Sequence, residues 1–212
     1  AGMPDMGGMM GGLGGFMARR MGGADKGLVL WQGRAFVDYV IDCIRPQVAH
    51  IAISANRNLE AYGSFGAPVW PDSTLLADYA GPLAGFITGL ERCKTPWLLT
   101  VPCDTPMFPL DLVERMASKF AQDDADIAVA YAMEVNEDGK ASLRPQPVFC
   151  LMHVRLLESL LAFTEGGGRK TGAWTAQHKT VSVPFTRDSD DAMAFFNANT
   201  LAELHALESR RS

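Results

Sequence analysis

Beyond residue 23, short apolar runs alternate with longer stretches in which apolar residues recur every three or four positions. The runs Ala49–Ser54, Trp97–Val101, Ile127–Tyr131, Val148–Met152 and Val181–Phe185 predict strands buried on both faces, since they are too short for helices and do not alternate with polar residues. Pro68–Trp70 offers a further short extended piece. Between the runs, Phe36, Val37, Val40, Ile41 and Ile44 share one helical face, and Pro46 stops that helix. Leu83, Phe86, Ile87 and Leu90 form a second stripe, and Leu110–Ala121, Leu156–Phe163 and Leu201–Leu207 follow the same period. Strand and helix in alternation predict a single three-layer α/β domain with a mostly parallel sheet wrapped by helices.

The first 23 residues break this pattern. They hold nine of the 21 glycines and six of the 11 methionines. Glycine this dense disfavours both helix and strand through backbone entropy. Residues 1–15 are therefore set apart as a Gly/Met-rich segment and 16–212 as the folded domain. Gly2–Gly15 is expected to be poorly ordered, or at best an irregular strand.

Composition narrows the function classes. The net charge of −5 argues against a protein that coats nucleic acid, which needs a basic face. With 48% hydrophobic and 20% charged residues the chain has an ordinary globular mix, which excludes general disorder. No apolar run reaches the roughly 20 residues of a membrane span, and the start lacks the basic and apolar regions of a signal peptide. The cysteines at 43, 93, 103 and 150 show no CxxC spacing, and His50, His153, His178 and His205 form no ligand-like cluster. A cytoplasmic protein with reduced thiols and no structural zinc is expected.

Ligands of open α/β sheets gather at the carboxyl ends of strands. Three groups of residues fall there: Ser54-Ala55-Asn56-Arg57, Asp72, and Pro102-Cys103-Asp104-Thr105-Pro106. An aspartate between prolines is held on a stiff turn, which suits a metal ligand and equally suits a helix-capping turn. Met17–Gly27 combines paired glycines with Arg19, Arg20 and Lys26, a composition that can surround phosphate oxygens or simply form a solvated basic turn. It is neither GxxxxGK[ST] nor GxGxxG. Gly81-Pro82-Leu83-Ala84-Gly85 leads directly into a helix, where glycine lets backbone approach a flat ligand.

The ordered set R-x-M-G-x-x-K, S-A-N-R, D, G-P-L-A-G and P-C-D-T-P resembles the molybdenum cofactor guanylyltransferases, within the wider nucleotidyltransferase fold. Arg144–Phe149, Ala173-Trp174 and Phe196–Thr200 fit the same pattern, so the likeness runs from about Leu13 to the C-terminus. The family opens with a β-branched strand ending in L-A-G-G. Here Leu13-Gly14-Gly15-Phe16 stands in that register, and Met-Gly sequence stands where the strand is expected.

The resemblance implies a Rossmann-like α/β/α fold and transfer of GMP from GTP to molybdenum-bearing molybdopterin, with pyrophosphate released. It implies that Lys26 holds the triphosphate with Arg20 as helper, and that Asp104 ligates Mg²⁺. Leu13, Gly14 and Gly15 would lie in the first phosphate loop, and Ser54, Asp72, Leu83 and Gly85 along the nucleotide. Asn199 stands where relatives carry a second metal-side Asn. Gln146 and Trp174 are candidates for the pterin side or for ordinary packing. A molybdopterin-inserting protein and recipient molybdoenzymes are the implied partners, with no nucleic acid and no membrane. Two alternatives stay open: a nucleotidyltransferase for another base or acceptor, such as cytidylyl transfer or a sugar phosphate, and an inactive nucleotide-binding relative.

Overall fold

The apolar runs become the strands of one seven-stranded sheet, ordered β5-β4-β1-β6-β8-β7-β9. A computed structural model describes residues 6–11, 25–72 and 81–209. In chain order the elements are β1 (Met6–Gly11), a two-residue hairpin of β2 (Leu30–Trp31) and β3 (Arg34–Ala35), α1 (Phe36–Ile44), β4 (His50–Ser54), α2 (Leu59–Gly63), β5 (Val69–Trp70) and α3 (Pro82–Arg92). They continue with β6 (Trp97–Pro102), α4 (Leu112–Gln122), β7 (Ile127–Val135), β8 (Ala141–His153), α5 (Leu157–Glu165), α6 (Thr171–Thr175), β9 (Thr180–Pro184) and α7 (Ala198–Ser209). Only β8 runs against its sheet neighbours, so the sheet is mostly parallel, as the alternation of elements implies.

Alternate strand residues feed two cores, one on each face. Leu99 and Val101 of β6 join Ala128 and Ala130 of β7 beneath α1 and α4, whose stripes Val37–Val40–Ile41–Ile44 and Leu112–Val113–Met116–Phe120 cover that face. Leu98 of β6, with Ile127 and Val129 of β7, lies under Leu83, Phe86, Ile87 and Leu90 of α3, Leu160 of α5 and Trp174 of α6. Helices on both faces of a parallel sheet complete the three layers.

The N-terminal expectation is corrected here. Met6–Gly11 is a regular strand at the centre of the sheet, not a tail. It pairs parallel with β4 over Gly7–Gly11 and with β6 over Met6–Gly11, without a register shift. Local propensity argues against a strand, but β4 and β6 would otherwise each present an unpaired row of backbone groups to the interior. Pairing on both sides overrides the low propensity of glycine. The boundary drawn at residues 15 and 16 lies outside the described residues.

β7 and β8 run further than their apolar runs, to Val135 and from Ala141, and form a ribbon whose tip turns at Gly139 (φ +74°). Pro145 and Pro147 obscure the longer strand in the sequence, and the ladder shifts register beside them, between Val129 and Ala130. After β9 the chain is fastened to α4: Arg115 donates to both carboxylate oxygens of Asp190, at 2.7 and 3.1 Å, and to the Pro184 carbonyl at 2.9 Å. Among the described residues, no helix is long and apolar enough to cross a membrane. All four cysteines are free thiols.

Candidate active site at the carboxyl edge

Gly11, Ser54 and Pro102 are cross-strand partners, so β1, β4 and β6 end level with one another. The loops that leave this edge carry the residues singled out in the sequence. Ser54 is buried at the end of β4. The next amide, Ala55 N–H, donates to the Trp70 carbonyl at 3.1 Å and ties this loop to β5. Asn56 and Asp72 hold each other: Asn56 Nδ2 donates to Asp72 Oδ2 at 2.6 Å, and the Asp72 amide donates to Asn56 Oδ1 at 2.8 Å.

Beyond β6, Pro102–Pro106 turns Asp104 into the interior, where it is 4% exposed. Lys26, also 4% exposed, occupies a short 3₁₀ turn, Lys26–Leu28. Burial raises the Asp104 carboxyl above its ordinary value, and the positive charge of Lys26 opposes that rise, as does a hydrogen bond from Thr105. The two turns are pressed together. A Cβ on Gly27 would stand 3.0 Å from Cys103 Cβ and 2.6 Å from the Tyr62 hydroxyl. Burial also pushes the Cys103 thiol far up, so it is a neutral packing group and not a nucleophile.

Asp25, which precedes Lys26, organises a second ring of contacts. Its Oδ1 accepts from Tyr62 Oη at 2.5 Å, and its Oδ2 accepts from Asn58 Nδ2 at 3.4 Å and lies 3.8 Å from Arg57 Nε. Sequence reasoning passed over Asp25, Asn58 and Tyr62. One local signal existed, since Asn58 and Tyr62 are four residues apart and share the start of α2, where Tyr62 N–H donates to the Asn58 carbonyl at 3.0 Å.

α3 begins at the same edge, because it runs back against the parallel strands. Gly81 (φ +125°) makes the turn that only glycine adopts readily, and Pro82 opens the helix. Leu83 points into the core under α3, while Gly85 is partly exposed on the first turn. α7 reaches the site from the C-terminus: its Ala198 and Leu201 pack with Phe36, Val29 and Met107, residues just beyond the Lys26 and Asp104 turns. On that helix the Asn199 Oδ1 is buried with no hydrogen-bond partner among the described residues. Arg20, Leu13, Gly14 and Gly15 lie outside the described residues.

Two sequence candidates sit elsewhere. Trp174 is fully buried in the second core, its Nε1 donating to Ser159 Oγ at 3.2 Å and its ring 5.3 Å from His178. It is a packing residue. Gln146 lies on the β7–β8 ribbon and donates to Glu134 at 2.7 Å.

A buried cation and a buried carboxylate at the mouth of a parallel sheet suit a polyphosphate and the ion that accompanies it. Known proteins resemble the chain over most of its length. Residues 11–181 match the MobA-like NTP transferase domain. A molybdenum cofactor guanylyltransferase of Acidovorax sp. (strain JS42) is 60% identical over 197 residues, 92% of each chain. One of Bordetella petrii is 54% identical over 195 residues, covering 92% of this chain and 94% of the relative. Among solved structures, molybdopterin-guanine dinucleotide biosynthesis protein A from Archaeoglobus fulgidus superposes with a TM-score of 0.71 at 18% identity, over 95% of this chain and 97% of that one. The 2-C-methyl-D-erythritol 4-phosphate cytidylyltransferase of Thermus thermophilus shares the fold at 0.65 and 14% identity, over 97% and 99%. The chain belongs to the MobA-like nucleotidyltransferases, in the molybdenum cofactor guanylyltransferase family.

Proposed function

We propose that this chain transfers GMP from GTP to molybdenum-bearing molybdopterin, with Lys26 and Asp104 as the residues on which the transfer depends. A terminal phosphate oxygen of the acceptor attacks the α-phosphorus of GTP. The bond to the β-phosphate oxygen breaks, and pyrophosphate leaves with the electron pair. The chemistry asks the protein for position and charge neutralisation, not for a covalent nucleophile. The observation that carries the proposal is the burial of Lys26 and Asp104 together at the carboxyl edge of β6. Lys26 holds the β- and γ-phosphates, and Arg20, Leu13, Gly14 and Gly15 serve the same phosphates. Ser54, Asp72, Gly85 and the backbone at Leu83 line the nucleotide.

The oxygen donors present fit Mg²⁺, which favours one or two carboxylates and leaves its other positions to phosphates and water. Asp104 supplies the carboxylate, and Asn199 Oδ1 is a buried oxygen lacking a partner among the described residues. When bound, the ion neutralises charge on the phosphates. The product then passes to a molybdopterin-inserting protein and to recipient molybdoenzymes. A cytoplasmic setting suits the four unpaired thiols.

Asp104→Asn tests the reading. The substitution keeps the shape and removes the charge. Mg²⁺-dependent pyrophosphate release from GTP in the presence of acceptor should be mostly lost, with the circular dichroism unchanged. Metal-free GTP binding should stay level or tighten slightly, because a repelling carboxylate is gone. Turnover within about twofold of the parent at limiting Mg²⁺ would show that Asp104 is not the ligand. Equal turnover with CTP would transfer the reading to another base.

A further inference from the structure

We propose that Asp25 and Tyr62 are positioning residues for this transfer, clamping the Lys26–Gly27 turn onto the Cys103–Asp104 turn so that the cation is set before GTP arrives. The inference rests on the reading of Lys26 given above. Asp25 and Tyr62 are 9% and 1% exposed, and the proposed chemistry gives neither a direct role. A carboxylate is costly to bury unless it is compensated, and here both its oxygens are engaged, by Tyr62 on one side and by Asn58 and Arg57 on the other. The hydroxyl of Tyr62 does two jobs in one place. It donates to Asp25 at 2.5 Å, and it closes over Gly27 where any side chain would stand 2.6 Å away. Cys103 Cβ meets the same position at 3.0 Å. The turn carrying Lys26 is thus packed against both the α2 segment and the turn carrying Asp104.

The backbone fits this arrangement. Asn58 adopts left-handed geometry (φ +53°, ψ 34°), which asparagine tolerates better than other side chains, and in doing so it starts α2, accepts the Tyr62 amide and directs its own amide group to Asp25. A lysine on a free turn would have to be ordered by its ligand; a lysine on a clamped turn meets the phosphates without that loss.

A double-mutant cycle on the full chain tests this, with GTP and Mg²⁺ titrated calorimetrically into the parent, Tyr62→Phe, Lys26→Ala and the double variant. Phenylalanine keeps the ring in the core and removes only the hydroxyl. Lys26→Ala should weaken binding about 10–100-fold. Tyr62→Phe should weaken it about 3–10-fold in the parent but less than about twofold in the Lys26→Ala background, because the clamp acts through the lysine. Unchanged binding by Tyr62→Phe, or equal weakening in both backgrounds, overturns the clamp while leaving Lys26 in place. Unchanged binding by Lys26→Ala instead overturns the assignment of the lysine, and the clamp with it. If Tyr62→Phe lowers the melting temperature too far for titration, Asp25→Asn, which keeps the shape and weakens the same hydrogen bond, goes through the same cycle and is judged by the same outcomes.

Discussion

Gly27 has no room for a side chain, and both atoms that exclude one belong to buried residues. Gly27→Ala should therefore act as overpacking, costing about 1–3 kcal/mol in urea denaturation, and should also weaken GTP binding because the Lys26 turn has to lift. Tyr62→Phe in the same chain removes the nearest atom and should return part of the stability; a second variant that adds to the loss would contradict this geometry. Lys26 and Asp104, each singled out in a short motif and given a role by the family resemblance, are buried at one sheet edge. Tyr62 was not legible, since its partner Asp25 lies 37 residues away in sequence. Trp174 could be read as a ligand or as core until its neighbours were known, and its place in the second core decides for packing.

Among the elements, the helices came nearly intact from the apolar period: α1 ends at Ile44 ahead of Pro46, and α3 spans its predicted stripe. The misread elements are those whose cause is not local. β1 is a strand because two neighbours pair with it, and the ribbon of β7 and β8 survives two prolines because the register shifts beside them. The link from β9 to α7 is fastened at Asp190 by its ion pair with Arg115, beside the packing of Phe185 and Phe195 and a longer Arg187–Asp111 pair. Hydrogen bonds from Arg115 hold the Asp190 carboxyl below its ordinary 3.8, against the opposing effect of burial. A depressed folded value means the contribution is complete above about pH 5 and fades as pH falls through that lower value. Asp190→Asn should thus lower the melting temperature at pH 7 by about 4–8 °C, for about 2 kcal/mol lost, and the gap from the parent should close in acid. A gap that persists unchanged below pH 3 would show that packing, not charge, fastens the link.

Across the whole molecule, β1 joins β4 and β5 to the other four strands. Removing residues 1–11 should leave two part-sheets with bare inner edges, read as loss of the cooperative unfolding transition and as aggregation on gel filtration. A soluble, cooperatively folding truncated chain would show that the strand is dispensable. The placement also has a consequence in time. During synthesis β1 emerges first, but its partner β6 is complete only about 90 residues later, roughly 5–20 s at ordinary ribosomal rates. Throughout that interval the segment is a strand in waiting, exposed to any other extended chain. A Val- and Ile-rich strand would be a ready template for mispairing, whereas MGGMMG, half of it glycine, is a poor strand former by itself. The glycine that disguises this strand in the sequence should therefore reduce its mispairing until its place in the sheet exists.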